Sequence, residues 1–451
     1  MLKMRNTFIH QFKLSGGYAL FPIFLFLILF IGSGVYFSLQ GTPFAFYQVS
    51  ATVAILPAII LAIGFGQGNF TTKLDNFIEG VRDSSIITMC MIYLLAGAYT
   101  EVLKGIGGVE ATVNLTLSFL PMQATLPGIF LLSAFIATAM GTSMGTIAAM
   151  APIAFGIAHA TDLSIPLTMG TVVGGAMFGD NLSLISDTTI AAVQTQGGTL
   201  KEKFKINSLI ALPAMFITLI ILIAYGFNTP CQSCVKITES QWIVSTPYFF
   251  VLALAISGVN VFLVLILGIL SAGIIGLGFT VNYSLVTYAK NIYQGYGSMQ
   301  EILVLSLLIG GLSHLTKIQG GLRFLIDLAS RFVHKFSKKR TKIVAEVAIA
   351  SIVSVGDICT ANNTIAIILT GDATCELAKK YNLSSARTAT LVDLFSCVFQ
   401  GILPYSAQIL LAGSIAGLSP LEIIPHVYYC YTLGIAGILA ILLQKPRCYM
   451  K

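Results

Sequence analysis

From Leu14 to Thr72 the chain runs for 59 residues without an Asp, Glu, Lys, Arg or His, and from Ser240 to Ala289 for another 50. A helix needs roughly 20 apolar residues to cross a bilayer, so each stretch holds two or more spans. Of the 451 residues, 10% are charged and 56% hydrophobic, whereas a soluble domain carries about 25% charged residues. Soluble enzymes, nucleic-acid-binding proteins and secreted disulfide scaffolds are excluded, and an all-α polytopic membrane protein is predicted. The net charge of +7 reflects loop topology rather than an anionic partner, because membrane proteins concentrate Lys and Arg in cytoplasmic loops. The apolar run from Tyr18 to Leu39 follows Lys3, Arg5 and Lys13. It is too long for a signal-peptide core and lacks a small-residue cleavage site, so it reads as an uncleaved first span.

The chain repeats itself at an offset of about 215 positions. The segment 76–80 matches 291–295, and 96–108 matches 309–321, placing Lys104 on Lys317. Further on, Ser186 falls on Ser406 and Gly197 on Gly417. Two repeats are predicted, 1–227 and 228–451. Each contains a re-entrant hairpin (about 128–161 and 343–382) and a broken helix (about 164–196 and 387–417), and ten full spans remain. With both termini cytoplasmic, 22 of the 25 Lys and Arg residues fall inside, and only Lys104, Lys236 and Lys290 fall outside. That distribution satisfies the positive-inside rule and sets Lys104 opposite its counterpart Lys317, which makes the repeats inverted.

Each predicted repeat has two polar breaks in otherwise apolar helices. The first hairpin tip carries Thr142, Ser143 and Thr146, and its broken helix carries Asp180, Asn181, Ser183, Ser186, Asp187 and Thr188. The second tip carries Asp357, Thr360, Asn362, Asn363 and Thr364, and its broken helix carries Gln400, Ser406 and Gln408. Non-helical backbone survives at membrane depth only where protein or a wet cavity satisfies it. Hydroxyl, amide and carboxylate oxygens there suit hard monovalent cations. Asp393 shares a helical face with Ser396, Cys397 and Gln400. A charge at mid-membrane costs roughly 2.5–3.5 kcal/mol, so Asp180, Asp187, Asp357 and Asp393 each need a reason: a cation or proton site, or a cap on a broken half-helix. Asp180, Asp187 and Asn363 are the residues for a Na+ site. The four breaks are expected to meet near mid-membrane, each tip reaching through about half of a ~30 Å core.

No Walker-type motif is present, so ATP does not drive the process, and no enzymatic activity or cofactor is expected beyond Na+ and H+ as transported ions. Cys231 and Cys234 form an isolated CxxC, which reads as loop cysteines or a local disulfide, since a zinc site needs a second ligand pair. No Arg is placed inside a predicted span.

The run Gly179-Asp180-Asn181 with Ser183 and Ser186-Asp187-Thr188-Thr189 resembles the signature of NhaC-type sodium/proton antiporters. So do Gly141-Thr142-Ser143 with Gly145-Thr146, Ala361-Asn362-Asn363-Thr364, and Gln400-Gly401 with Pro404-Tyr405. Leu184 departs from the usual Pro, and Asp372 from an uncharged residue. The resemblance implies the ion-transporter superfamily fold, in which a scaffold carries a mobile, hairpin-bearing transport domain in an elevator-like arrangement. It implies a Na+/H+ antiporter of the cell (inner) membrane, with a homodimer compatible with such scaffolds. The alternative is a Na+- or H+-coupled carrier of a small amino acid or hydroxy-carboxylate. The partners are then small ions or a small-molecule substrate and the lipid bilayer.

Single cysteines at Lys236 and Lys338 test the topology. An impermeant maleimide should label Lys236→Cys on intact cells and Lys338→Cys only after permeabilisation. Labelling of both from one side would overturn the inverted assignment.

Overall fold

The computed structural model describes residues 17–42, 48–112, 122–161, 163–227, 239–321, 323–324, 331 and 341–446. Lys236, Lys338, Cys231 and Cys234 lie outside the described residues. The first half of the chain forms α1 (Phe21–Leu39), α2 (Ala51–Phe65), α3 (Phe70–Val81), α4 (Ser84–Gly105) and α5 (Met122–Met140). It continues with α6 (Ser143–Ala160), α7 (Ile165–Leu182), α8 (Asp187–Gln196) and α9 (Leu200–Phe227). The second half forms α10 (Glu239–Ile256), α11 (Val261–Phe279), α12 (Leu285–Ser298), α13 (Gln300–Ile318) and α14 (Thr341–Thr360). It ends with α15 (Asn363–Lys380), α16 (Ser385–Gln400), α17 (Ala407–Ala416), α18 (Pro420–Ile423) and α19 (Tyr428–Leu443). No strand occurs among the described residues.

Several helices are apolar on every face, as spans in lipid must be. In α2, Ala54, Ala58 and Ala62 are buried while Val53, Leu56 and Ile60 stay exposed. Eight of the described helices are long and apolar enough to cross a membrane, or nine if the bent pair Ala407–Ala416 and Pro420–His426 counts as one. This differs from the ten spans and two hairpins expected. Three of the eight, Gln123–Met140, Ser143–Ala160 and Lys342–Thr360, are hairpin limbs. Three further apolar helices, Ala51–Phe65, Trp242–Ile256 and Tyr428–Leu443, are shorter than a full span. At 1.5 Å per residue, limbs of 18–20 residues extend about 27–30 Å, longer than the half-membrane dip expected. Proline does not shorten them: Pro127 and Pro152 sit inside the limbs, and packed neighbours compensate for the lost backbone bonds.

Close contacts establish that the limbs fold back. Gly175 lies against Phe130 and Ser133, and Gly179 against Ala134 and Ala137, so α7 runs parallel to α5 and the intervening α6 must return antiparallel. In the second half Arg387 pairs with Glu346 and Gln400 reaches Ala361, so α16 runs parallel to α14 and α15 returns. Both tips turn in the same way. Gly141 and Ala361 adopt positive φ (68° and 52°), and the next residues, Thr142 and Asn362, are extended.

The helices pack as two groups. One comprises α1–α4 with α10–α13; the other comprises both hairpins, α7–α9 and α16–α19. In the first group α3 crosses α13 and α12 crosses α4 through glycines. A Cβ on Gly80 would meet Gly310 O at 2.5 Å, and one on Gly97 would meet Gly295 O at 2.3 Å. Real Cβ atoms do not approach backbone so closely, so these helices touch backbone to backbone. Gly97→Val is expected to lower the melting temperature of the purified protein by forcing that contact apart, at a cost of about 1–3 kcal/mol or more. Gly32→Ala, whose added methyl meets nothing within 4 Å, should leave it unchanged in the same fluorescence melt.

Candidate functional site

The two broken helices are built alike. The first unwinds after Leu182 and restarts at α8, with Ser186 as N-cap and Gly197 in the left-handed conformation at its C-cap. The second unwinds after Gln400 and restarts at α17, with Ser406 as N-cap and left-handed Gly417 at its C-cap. Both restarted helices have 10 residues. Leu184 does not restore the helix. It stands exposed in the unwound stretch, because Ser183 Oγ instead donates to Thr138 O of the first limb (2.9 Å) and receives Ile185 N (3.3 Å).

Hydrogen bonds join all four breaks. Gln400 Nε2 donates to Ala361 O at the second tip (3.2 Å) and to Gln408 Oε1 (2.8 Å). Gln408 Nε2 donates to Ser143 Oγ at the first tip (3.1 Å). Ser143 Oγ donates to Asp180 Oδ2 (2.9 Å) and Ser186 Oγ to Asp180 Oδ1 (2.5 Å). Ser186 also exchanges a bond with Thr188 Oγ1 (2.8 Å). Asp180 is buried, and among the described residues no Lys, Arg or His lies within ion-pair distance of it.

The remaining residues divide. Asn181 is held by Asn207, whose Nδ2 donates to its main-chain O (2.8 Å) and to its Oδ1 (2.6 Å). Asp357 is fully buried, and neither of its carboxylate oxygens has a hydrogen-bond partner. Asn363 is buried with Oδ1 accepting from Thr364 N and Nδ2 unpartnered. Thr360 and Asn362 serve the tip itself: Thr360 Oγ1 bonds Gly356 O and Asn362 O, and Asn362 Oδ1 caps Ile365 N. Thr146 Oγ1 returns to Thr142 O, the Thr142 side chain makes no cap bond, and Thr364 is half-buried. Ser406 Oγ caps Ile409 N. Asp187 is exposed at the start of α8, apart from the oxygens that surround Asp180. Of the three residues expected at a Na+ site, Asp180 alone joins the hydrogen-bonded chain.

Two cations that the charge count placed in cytoplasmic loops are buried. Lys203 pairs with Asp393 Oδ2 at 2.5 Å, and Thr189 Oγ1 and Cys397 Sγ also approach that carboxylate (3.5 and 3.8 Å). Arg387 pairs with Glu346 and donates to Ala440 O and Lys445 O, tying α14 to the end of α19. The signal for Lys203 lay in periodicity. The buried stripe of α9, Thr218, Ala214, Ala211, Asn207, runs back onto Lys203, while Lys201 and Lys205 face away. Asn207 was missed for the same reason.

A family model described as the Na+/H+ antiporter family matches residues 11–227. The Na(+)/H(+) antiporter NhaC of Bacillus subtilis is 24% identical over 87% of this chain and 91% of its own. The Na(+)/H(+) antiporter NhaC of Alkalihalophilus pseudofirmus is 21% identical over 88% and 91%. The chain is thus similar to the Na+/H+ antiporter family over residues 11–227 and to two NhaC antiporters over most of its length. Among its relatives, the malate-2H(+)/Na(+)-lactate antiporter of Bacillus subtilis is 25% identical over 46% of this chain and 44% of that one.

Asp180→Asn should keep both hydroxyl contacts and a native elution profile while reducing Na+-dependent proton movement by about 100-fold, equivalent to about 2.7 kcal/mol. Asp187→Asn, at an exposed position, should cost less than about tenfold. Vesicle assays of the two variants side by side check the ranking, and equal losses would refute it.

Proposed function

We propose that the protein is a secondary active Na+/H+ antiporter working by alternating access, with Asp180 as the group on which the two ions compete. The carrying observation is a buried carboxylate that receives two hydroxyls and no basic side chain. Removing an unpaired charge from water costs several kcal/mol, so that carboxylate takes either a proton or a monovalent cation. It cannot hold both at once. Coupling follows: the occupied carrier moves with either ion, and exchange results because each must leave for the other to bind. Asp357, buried without partners at the second tip, is a second acid with the same requirement.

Several features support the arrangement as two inverted repeats with a scaffold and a transport domain. The elements recur in order along the two halves, and contacts between halves are reciprocal. The restarted helix of each half packs on the hairpin of the other, α8 on α15 and α17 on α6. The group bearing both hairpins is the transport domain, and the glycine-crossed group is the scaffold. Two cavities lie between them. One of about 50 Å³ is bordered by Asp83, His314, Lys317 and Thr360, and one of about 230 Å³ by Ser298, Glu301 and Ser414. In the charge-derived topology they open toward opposite faces, with both termini cytoplasmic in the cell membrane and the hairpins re-entrant.

The hydroxy-carboxylate alternative draws on the malate/lactate relative. Against it, Arg387 and Lys203 are committed to Glu346 and Asp393, leaving no free cation at the breaks among the described residues for a substrate carboxylate. In vesicles with an imposed pH gradient, Na+ alone should dissipate the gradient reported by a quenched dye. A response that appears only with added malate, lactate or an amino acid would favour the alternative.

A further inference from the structure

Beside the crossing of α3 and α13 the two halves of the chain differ. Lys73 and Asn76 share a face of α3, and the repeat that sets 76–80 on 291–295 sets them on Tyr288 and Asn291 of α12. In the second half both counterparts are seated. The Tyr288 ring lies against α11, where a Cβ on Gly273 would meet it at 2.7 Å, and its hydroxyl donates to Ile269 O (3.3 Å). Asn291 Nδ2 donates to Glu101 O (3.0 Å) and occupies the space that a Cβ on Gly105 would need. In the first half Ile318 stands where the repeat has Gly105, so the same seat is not open to Asn76. A cavity of about 380 Å³ remains there, bordered by Tyr18, Phe65, Lys73, Asn76, Ile318 and Gln319. That volume lies within the roughly 300–1,000 Å³ of small-molecule pockets.

Lys73 is half-buried, with its stem packed beside the Gln319 amide. A Cβ on Gly66 would meet Lys73 Cγ at 3.3 Å and Gln319 Nε2 at 3.4 Å. Gln319 Nε2 is committed to Ala62 O (2.8 Å), which ties the end of α13 to α2. Among the described residues the Lys73 ammonium has no carboxylate within ion-pair distance, and no acid borders the cavity. Neither Lys73 nor Asn76 has a side-chain hydrogen bond to another described residue. A half-buried cation without a counter-charge, one helical turn from a free amide, is a seat for an anion.

The surroundings say which anion. Tyr18, just before α1, and Phe65, the last residue of α2, are 69% and 43% exposed. Aromatic rings at the ends of spans mark the boundary between membrane and water, so the mouth lies at headgroup level. In the charge-derived topology this end is cytoplasmic, and the anionic lipids of that leaflet attract Lys and Arg. We propose that the cavity binds the phosphodiester headgroup of an acidic phospholipid. Lys73 and Asn76 meet the phosphate, and Tyr18, Phe65 and Ile318 line the glycerol and acyl carbons. A bound headgroup joins α1, α2, α3 and α13, all in the helix group that carries neither hairpin. It therefore acts on that group, whichever ion the protein exchanges. The outer face has no equivalent, because Tyr288 stands where Lys73 would be.

Melting of the purified full-length protein in detergent tests this, with phosphatidylglycerol, phosphatidylcholine or inorganic phosphate added. A ligand of the native state raises the melting temperature with its occupancy. Phosphatidylglycerol should stabilise wild type more than phosphatidylcholine does. Lys73→Gln should need about fivefold more phosphatidylglycerol for the same shift. Lys73→Tyr, which puts the second half's residue into the cavity, should lose the difference between the two lipids. Lys342→Gln removes an exposed lysine at the start of α14, outside the cavity, and should respond as wild type does. Equal responses to phosphatidylglycerol in wild type and the Lys73 variants would overturn the proposal. A loss of the same size in Lys342→Gln would overturn it too, since bulk charge attraction would then explain the effect. Inorganic phosphate that matches phosphatidylglycerol would replace the lipid with a soluble anion. Should Lys73→Tyr fail to fold, Lys73→Gln against Lys342→Gln decides.

Discussion

A helix interrupted inside a bilayer strands several backbone carbonyls and N–H groups, and lipid can satisfy none of them. This chain does so four times, at two hairpin tips and two unwound stretches, and the architecture follows from the need to close those breaks on one another. Ala361 O at one tip takes Gln400, and Asn181 O at one unwound stretch takes Lys203 and Asn207. Side chains from another break, or from the neighbouring helix α9, thus serve the stranded backbone. The parallel packing of α5 with α7 and of α14 with α16, which makes the hairpins fold back, brings the breaks to the same level. The backbone contacts at Gly80 and Gly97 keep the other helix group thin enough to pack beside them.

The four acids considered from the sequence find four different solutions. Asp393 is matched by Lys203. Asp187 remains exposed. Asp180 is surrounded by hydroxyls, and Asp357 has no partner at all. Only the last two carry an unbalanced charge in a buried setting, and an unbalanced buried charge must draw in a cation or a proton. On the antiporter reading proposed above, exchange belongs where compensation is missing, and rigidity where it is complete. The Arg387–Glu346 pair, extended by Gln444 to Glu346 (2.9 Å) and by two main-chain carbonyls, is the complete case and holds the base of the second hairpin.

Much of this was legible in the sequence because polar residues in an apolar helix are conspicuous. The breaks at 140–146, 179–189, 356–364 and 400–408 could be found with no knowledge of packing. What could not be read was which polar group faces which. Asp180 and Asp187 bracket the same unwound stretch, yet one is buried and the other exposed, since the helix restarts at Asp187 and turns its side chain away. Hairpin limbs resisted for another reason: hydropathy measures length and composition, and a limb that returns has the same composition as a helix that crosses. Lys203 was hidden by the rule that served best elsewhere. A lysine near a helix end counts as cytoplasmic charge, and only the buried stripe of α9 reveals that it points inward.

The two halves share a frame but not its chemistry. Gln400 precedes Ser406 by the same six residues that separate Asp180 from Ser186, and it follows the second tip as Asp180 follows the first. One half therefore places a carboxylate where the other places an amide. An amide both donates and accepts, so Gln400 can bridge Ala361 O and Gln408 with no net charge. A carboxylate only accepts, so Asp180 gathers hydroxyls and leaves its charge to be answered from outside the chain. Two carboxylates in those slots would face each other through Ser143 and Gln408 and would repel. Two amides would bind no cation. The single difference makes two similarly built halves asymmetric at their centre, and it sets one ionisable group at the point where the hydrogen-bonded chain from both hairpins ends.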